Sequence, residues 1–291
     1  MRRLLGKYIN GNYSVKIFDD GTKVRETEGD IFIPDFPESM DISITDRCDN
    51  NCAFCYAGAT KDGKHGDILG SKFIDTLRPF TEVALNGNDL SHPDLIEFLR
   101  KLKDKRIIAS MTVNQVHFMK YLTTISYLVD NDLIKGLGIS LVNSTEEFIK
   151  EVKNFPNAVI HIINGIVTME QLEKLYDNNL KVLILGYKTV GRGRGYYSEE
   201  VELNKQIIYD NIKKILNHFD VISFDNLALK QLEFERILTK KQWDEFYMGD
   251  DGMYSMYIDI PKQQFSRNSM SDVKYDLLDN IDDMFKVITG K

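Results

Sequence analysis

The feature that most constrains the fold is a regular alternation of short apolar runs with longer amphipathic stretches. The apolar runs are the expected strands, and they cover residues 41–44, 82–86, 107–113, 136–142, 159–165, 181–187 and 221–224. The stretches between them carry apolar residues at spacings of three and four, which is typical of helices with one buried face. This alternation predicts parallel strands joined by right-handed crossover helices, and therefore an open or closed α/β barrel or a doubly wound sheet.

The chain extends beyond this alternation at both ends. Residues 12–27 predict a β-hairpin that turns at Asp20 and Gly21, and residues 28–40 are an acidic connection with prolines. After residue 224 the pattern predicts a helix, an alternating strand, a loop and a short C-terminal helix. We therefore expect one compact unit with a hairpin extension at 1–40, a core at 41–224 and a C-terminal α+β extension at 225–291.

The composition argues against several classes of protein. The chain is 43% hydrophobic and 28% charged with a formal net charge of -7, so it has no uniform basic face and nucleic acid is not an expected partner. No window is apolar enough to span a bilayer, and the N-terminus lacks the continuous apolar core of a signal peptide. These features predict a cytoplasmic protein that does not bind membranes.

The cysteines are the most informative residues in the chain. There are three, Cys48, Cys52 and Cys55, and they fall within eight positions directly after the first expected strand of the core. An odd, crowded set is a poor disulfide framework, whereas a reducing cytosol leaves such thiols available to metal. Three thiolates suit a four-iron cluster with one open iron. Zinc bound by the three cysteines and His65 is the alternative, which the spacing disfavours but leaves open.

The cysteine segment, CDNNCAFC, resembles the C-x3-C-x-Φ-C signature of the radical S-adenosylmethionine (radical SAM) superfamily, with Phe54 in the aromatic position. The later segment NGNDLSHPDL is similar to the family's Gly-Gly-Glu-Pro motif and the His-Pro-Asp-Leu that follows it, although Asn86, Asn88 and Asp89 depart from that motif. The resemblance covers roughly residues 40–190. It implies a partial TIM-like (βα)6 barrel with a [4Fe-4S] cluster on Cys48, Cys52 and Cys55.

The same resemblance implies where SAM binds. Groups around Gly87, Asn88 and Asp89 would receive the ammonium of its methionine part, and Phe54 and Tyr56 would lie beside the cluster or the adenine. The other implied contacts come from later strand ends, and they are Asn114, Ser140, Asn164 and Leu185. Asn114 and Ser140 have an alternative role as helix or turn caps, and Tyr56 has one in core packing.

The reaction implied by the resemblance is reductive cleavage of SAM to a 5′-deoxyadenosyl radical, which then abstracts hydrogen from a substrate. The cofactors carry this chemistry, while the protein binds and orients them. An electron donor such as flavodoxin or ferredoxin is an implied partner.

The glycine loop, GYKTVGRGRGYY at residues 186–197, bears on the substrate. Its Lys188, Arg192 and Arg194 lie among glycines at the expected mouth of the barrel, where they predict recognition of an anion; a flexible solvated loop is the alternative. Tyr257 and Arg267 in the C-terminal extension are further candidate substrate contacts. We therefore expect an anionic small-molecule substrate, with a nucleotide-like compound as one candidate.

Two other functions remain open at this stage. One is a radical SAM enzyme that modifies a peptide, which would need no auxiliary cluster because no cysteine follows Cys55. The other is a zinc-stabilised binding module without enzymatic activity. The zinc content of the purified protein would distinguish that module from an iron enzyme.

Overall fold

A small antiparallel sheet forms the N-terminal part of the protein. In the computed structural model, which describes residues 2–88 and 90–290, its strands are β1 (Leu4–Asn10), β2 (Tyr13–Phe18) and β3 (Lys23–Thr27). β2 and β3 form the predicted hairpin, and Gly21 at its turn has a φ of 83°, which glycine adopts without strain. β1 pairs with β2 and is a strand that the sequence pattern does not predict.

The other strands of the described residues form one ten-stranded sheet. Seven strands correspond to the seven apolar runs and are mutually parallel: β4 (Ser39–Ser43), β5 (Glu82–Asn88), β6 (Ile108–Asn114), β7 (Gly136–Ser140), β8 (Ala158–Ile163), β9 (Lys181–Leu185) and β10 (Val221–Phe224). Three strands of the C-terminal extension complete the sheet: β11 (Ser255–Asp259), β12 (Gln264–Ser266) and β13 (Tyr275–Asp276). The predicted α/β class with a mostly parallel sheet is confirmed.

The strands of the sheet follow one another in a simple order. Across the described residues that order is β10-β9-β8-β7-β6-β5-β4-β11-β12-β13, so each connection from β4 to β10 moves the chain to the next strand in the same direction. A doubly wound sheet instead reverses direction at a switch point, where its ligands bind. In the sequential arrangement, the loops that follow all seven parallel strands emerge at one edge of the sheet.

The helices connect these strands. They are α1 (Leu95–Asp104), α2 (Gln115–Lys120), α3 (Leu122–Asp130), α4 (Glu146–Val152), α5 (Met169–Glu173), α6 (Gly193–Tyr196), α7 (Glu199–Ile215), α8 (Asn226–Gln231), α9 (Lys240–Phe246) and α10 (Ile281–Thr289). The amphipathic stretch at 116–131 is divided into α2 and α3 at Tyr121, whose φ of -118° is not helical. No helix in the described part of the chain has the length and apolar character needed to cross a bilayer.

The two faces of the parallel sheet differ in chemistry. Alternate residues such as Ile42, Leu85 and Ile160 are buried, and they pack with apolar residues of α1, α3, α4, α5 and α7 in the main core. The residues between them, among them Thr112 and His161, are only half-buried and mostly small or polar. Because side chains alternate between the faces of a strand, one face carries the stability of the core and the other presents polar groups.

The C-terminal extension contacts both ends of the seven-strand run. β11 lies parallel beside β4. At the other end, the ring of Phe234 packs against that of Phe224 in β10 with centroids 4.2 Å apart, and Lys188 after β9 donates a hydrogen bond to Ser269 at 2.9 Å. The extension is therefore tied to the first strand of the run, to its last strand and to the loop after β9.

Candidate functional site

The three cysteines lie on the cysteine loop, residues 44–71, which follows β4. All three thiols are half-buried. The amide of Cys48 donates to the Thr60 carbonyl at 2.8 Å, which closes the loop near its base. Beyond that point, the amide of Cys55 donates to the Cys52 carbonyl at 3.2 Å and the amide of Gly58 to the Cys55 carbonyl at 3.3 Å. Two consecutive turns thus fix the backbone that carries Cys52 and Cys55.

The protein around Cys52 does not by itself stabilise a thiolate. Burial, followed by the neighbouring Cys55, raises the pKa of the Cys52 thiol. A bound metal reverses that tendency because thiolate is the ligand form. The side-chain amide of Asn114, at the end of β6, points its Nδ2 at the Cys52 sulfur from 4.0 Å. N–H groups directed at cysteine sulfurs are a common way of tuning iron–sulfur sites.

A histidine and an aspartate also lie at the cysteine loop. His117 on α2 is buried, its Nδ1 lies 2.8 Å from the Asn88 carbonyl, and its Nε2 is hydrogen-bonded to Asp49. A carbonyl only accepts hydrogen bonds, so Nδ1 carries a proton. Among the described residues, the group of three potential metal ligands whose donor atoms all lie within 4.8 Å of one another is Cys48, Asp49 and His117.

The predicted SAM segment, which begins within β5 at Asn86, is tied to the base of the cysteine loop. The Asn86 side chain accepts from the Ile44 amide at 2.9 Å and donates to Ser43 Oγ at 2.8 Å. The Asn88 side chain donates to the Thr45 carbonyl at 2.8 Å, and its φ of 39° is left-handed. The segment and the loop therefore hold each other in place. The other two predicted members are Gly87, which lies within β5, and Asp89, which lies outside the described residues.

Asn114 and Ser140 end adjacent strands. The side chain of Asn114 caps α2 by accepting from the Val116 amide at 2.9 Å, so the capping role occurs in the structure. Its Nδ2 remains directed at Cys52, as described above. Ser140 pairs in register with Asn114 on one side and His161 on the other, on the half-buried face of the sheet. These strand ends form a short polar row beside the cysteine loop.

Asn164 and Leu185 lie deeper in the structure. Asn164 is fully buried, its amide donates to the Leu185 carbonyl at 2.8 Å, and its Nδ2 donates to Gln231 Oε1 at 3.1 Å. Its Oδ1 is buried and has no hydrogen-bond partner in the structure. A buried acceptor without a partner is costly, so this oxygen is a candidate to receive a hydrogen bond from a bound group.

The two aromatic residues of the cysteine motif have different surroundings. Phe54 packs edge-on against Tyr196 of the glycine loop, with ring centroids 5.8 Å apart. Tyr56 is partly exposed, and the ammonium of Lys188 lies 4.0 Å from its ring centroid. Lys188 therefore combines a cation–π contact with its hydrogen bond to Ser269.

The arginines of the glycine loop, which were predicted together as an anion site, are placed apart. Arg192 donates from Nε to the Cys52 carbonyl at 2.9 Å and from Nη1 to the Ala59 carbonyl at 3.0 Å. Its backbone amide donates to the Cys55 carbonyl at 3.0 Å. Arg194 is exposed. The guanidinium of Arg192 is thus directed at the cysteine loop, while that of Arg194 faces solvent.

The predicted contacts from the C-terminal extension are also separated. Tyr257 lies beside Asp259, and burial raises the pKa of its phenol. Arg267 is exposed and donates to the Ile288 carbonyl at 3.1 Å, near the end of α10. A cavity of about 170 Å³ separates the cysteine loop from the extension, and it is lined by Tyr56, Ala57, Tyr257, Asp259, Lys262, Gln264, Phe265, Ser266, Ser269 and Lys274.

Two carboxyls, those of Asp41 and Asp225, lie near the half-buried face of the sheet. Asp41 in the middle of β4 keeps exposed surface, yet enclosure by the protein raises the pKa of its carboxyl, and Lys188 opposes that shift. Burial likewise raises the pKa of Asp225, at the end of β10. An exposed but enclosed carboxyl lines a recess rather than the outer surface of a protein. The recess therefore holds both signs of charge.

His65, the histidine of the alternative zinc site, is engaged elsewhere. Its Nδ1 lies 2.8 Å from Thr45 Oγ1, and its ring packs against His92 with centroids 4.8 Å apart. The Nε2 of His92 in turn lies 2.9 Å from the Gly66 carbonyl. These contacts hold the returning end of the cysteine loop.

No family model and no curated protein matches this chain. Membership of the radical SAM superfamily therefore stays a prediction from the residues of the cysteine segment and the strand ends. The geometry described above provides the remaining arguments for a function.

Sequence reasoning missed two residues of the site, Asp49 and His117. Asp49 lies between the first two cysteines, where the motif allows any residue. His117 lies three positions after Asn114, on the first turn that follows a parallel strand. That position was the available signal, because functional groups of α/β proteins gather at the carboxyl ends of strands.

Proposed function

We propose that this protein is a radical SAM enzyme whose cysteine loop holds one [4Fe-4S] cluster. The observation that carries the proposal is the donor set: three half-buried thiols on a single loop, in a chain without another cysteine. Three thiolates leave one iron of four without a protein ligand, a position that suits the amino and carboxylate groups of SAM. When bound, these cofactors supply reductive cleavage of SAM to a 5′-deoxyadenosyl radical, which removes hydrogen from the substrate.

The loop itself fits an anionic group. The guanidinium of Arg192 and the side-chain amide of Asn114 both approach Cys52 or its carbonyl, and both are donors. Donors and a fixed positive charge stabilise a cluster with net negative charge. The residues of this chain would thereby bind the cluster and hold its thiolates in place.

The strand order supports a partial (βα)6 barrel as the scaffold. Residues 41–224 supply parallel strands in sequential order, with the half-buried polar face as the candidate interior. The extension at 225–291 contacts β4 through β11 and β10 through Phe234, as expected of a segment that closes a partial barrel. In barrels of this kind the site lies at the carboxyl ends of the strands.

The strand ends suggest how SAM is oriented. Asn88, Asn114 and Ser140 end β5, β6 and β7, and Asn164 directly follows β8. We assign Asn88 to the methionine part, Asn114 and Ser140 to the ribose or carboxylate, and Asn164 to the adenosine. The unpartnered Oδ1 of Asn164 offers an acceptor for such a group. Leu185, Phe54 and Tyr56 would supply apolar and aromatic contacts.

The substrate proposed is an anionic small molecule, with a nucleotide-like compound as one candidate. Support comes from Lys188, whose ammonium lies on Tyr56 between the cysteine loop and the extension. Tyr257 lines the adjacent cavity. Flavodoxin or ferredoxin is the proposed electron donor, and the cytoplasm is the proposed location because its reducing conditions keep the cysteines as thiols.

The test is formation of 5′-deoxyadenosine. Protein reconstituted with iron and sulfide without oxygen, reduced with dithionite and given SAM, should release 5′-deoxyadenosine and methionine slowly without a substrate. The control is a variant in which all three cysteines are replaced by Ala, carried through the same reconstitution. No 5′-deoxyadenosine above that control, in protein that has taken up its iron and binds SAM, would exclude radical chemistry.

A second candidate function rests on a different observation. The donor atoms of Cys48, Asp49 and His117 lie close enough to share one metal ion, and the Asn88 carbonyl accepts from His117 Nδ1, so Nε2, which contacts Asp49, is the nitrogen that would bind the metal. This arrangement suits a zinc-stabilised binding module without radical chemistry. It differs from the zinc site predicted from the sequence, because His117 and Asp49 replace His65 and two of the cysteines.

A further inference from the structure

The glycine loop is hydrogen-bonded to backbone carbonyls of the cysteine loop, and two of these carbonyls also accept a hydrogen bond within the cysteine loop. The Cys52 carbonyl accepts from the Cys55 amide and also from Arg192 Nε, and the Cys55 carbonyl accepts from the Gly58 amide and also from the Arg192 amide. A third bond runs from Arg192 Nη1 to the Ala59 carbonyl. Each turn of the cysteine loop is thus held once by its own backbone and once by Arg192.

The glycines on either side of Arg192 permit this close contact. Gly191 has a φ of 55°, and a Cβ at that position would lie 2.2 Å from the Tyr56 carbonyl oxygen. A Cβ at Gly193 would lie 2.3 Å from the Lys188 carbonyl oxygen and 3.3 Å from that of Phe54. These glycines bring backbone against backbone rather than forming an open nest for an external anion.

We propose that Arg192 is a positioning residue that holds the cysteine loop in its metal-binding shape and sets a permanent positive charge beside the bound cluster. Its fork of donors joins the carbonyls of Cys52 and Ala59, which lie on the two sides of the turn carrying Cys55. Lysine cannot form both bonds in that planar geometry. These bonds join protein groups only, so we expect them to form with or without a bound metal.

The charge of Arg192 acts on the cluster separately from its hydrogen bonds. Reduction adds one negative charge to a cluster, and a fixed cation within several ångströms stabilises the reduced form. This part of the inference rests on the proposed function. The arrangement of the loop does not, because the bonds that hold it join protein groups only.

The experiment compares Arg192→Gln, Arg192→Lys and Arg194→Gln with the wild-type protein. Arg194→Gln removes the same charge from an exposed position of the same loop, so it is the matched control. The first measurement is amide hydrogen exchange of residues 52–59 in metal-free protein. We expect exchange to become faster by about tenfold or more in both Arg192 variants and to stay unchanged in Arg194→Gln. Amides of β7 and β8 report whether each variant is folded.

The second measurement is the midpoint potential of the reconstituted cluster. Arg192→Gln should lower the ratio of reduced to oxidised cluster at a fixed potential by about tenfold, which corresponds to about 59 mV for a one-electron couple. In Arg192→Lys the ratio of reduced to oxidised cluster should be close to the wild-type value, because lysine keeps the positive charge. The amides of residues 52–59 should still exchange faster than in the wild-type protein.

The outcomes separate this inference from the proposed function. Unchanged exchange of residues 52–59 in folded Arg192→Gln and Arg192→Lys would overturn the positioning role, whether or not the protein holds a cluster. Faster exchange with an unchanged potential would overturn the electrostatic part alone. If wild-type protein takes up no cluster, the proposed function fails, and the exchange measurement still decides the role of Arg192.

Discussion

The cysteine loop and the glycine loop both stand out in the sequence, yet their chemistry depends on different things. The cysteine loop carries its function in residue identity, because three closely spaced thiols are metal donors by their own chemistry. The glycine loop has the composition of an anion site. In the structure, Arg192 and the glycines around it are engaged by the cysteine loop instead.

The contrast between the two loops shows which properties of a site can be predicted from sequence. Donor type and spacing are local properties, so a ligand motif is readable from a few residues. The partner of an arginine is a tertiary property, and the bond from Arg192 to Cys52 spans 140 positions. A basic loop rich in glycine therefore predicts close approach to an electron-rich group, but not whether that group is a substrate or the protein's own backbone.

The largest expected effect distinguishes a cluster bound by the three cysteines from a single metal ion bound by Cys48, Asp49 and His117. Replacement of Cys52 or Cys55 by Ala should abolish cluster binding, because the chain has no spare cysteine. Asp49→Asn should leave the cluster in place, because the carboxylate is not a ligand in that arrangement. Iron and zinc contents after separate reconstitutions with each metal are the measurement. Zinc binding that survives in both cysteine variants and fails in Asp49→Asn and His117→Ala would favour the single-ion site.

The second prediction concerns the close contact between the loops. Gly191→Ala should lower the free energy of unfolding by about 2–4 kcal/mol, because the new Cβ meets the Tyr56 carbonyl and the residue must keep a left-handed conformation. Gly195→Ala is the control, because a Cβ there meets no atom within 4 Å. It should leave stability unchanged or raise it by up to about 1 kcal/mol. Equal urea midpoints for the two variants would mean that the loops do not touch as described.

The sheet beneath the two loops provides the third prediction. His161 on β8 keeps some exposed surface, yet enclosure by the protein lowers its pKa to about 4 from its ordinary 6.5, and its Nδ1 has no hydrogen-bond partner. The unfolded chain takes up a proton below pH 6.5, whereas the folded protein resists it until about pH 4. Above pH 6.5 His161 is neutral in both states and does not lower the free energy of unfolding. As the pH drops from 6.5 towards 4, that free energy falls by at most about 3 kcal/mol.

His161→Gln isolates this effect. Between pH 7 and pH 4.5 the free energy of unfolding should fall more in the wild-type protein than in the variant. Urea unfolding at several pH values measures that difference. Two parallel curves across this range would show that His161 titrates normally in the folded protein.

Much of the scaffold was predictable because it depends on local periodicity. The run VISF matches β10 residue for residue, and the other six apolar runs each fall on a parallel strand. The division of α2 from α3 at Tyr121 was not predictable, because the apolar spacing continues through it and tertiary packing decides the break. β1 was missed for a similar reason, since its place beside β2 depends on strand pairing.

The candidate site was less predictable than the scaffold. The cysteines and the polar strand ends at Asn88 and Asn114 follow from motif and topology. The contact of His117 with Asp49 and the Asn88 carbonyl does not, because it joins a helix, a loop and a strand end that are far apart in the sequence. The bond from the Arg267 guanidinium to the Ile288 carbonyl was likewise not predictable, because it depends on how α10 packs, and its role as a substrate contact stays a prediction.

The most direct test of the central claim is the metal and sulfide content of the wild-type protein. Protein purified without oxygen and reconstituted should contain about four irons and about four acid-labile sulfides per chain, with absorption near 400 nm that bleaches on reduction. The same analysis of protein purified without added metal shows what it binds by itself. One zinc per chain, with no sulfide and no uptake of iron, would contradict the cluster and leave Cys48, Asp49 and His117 as the metal site.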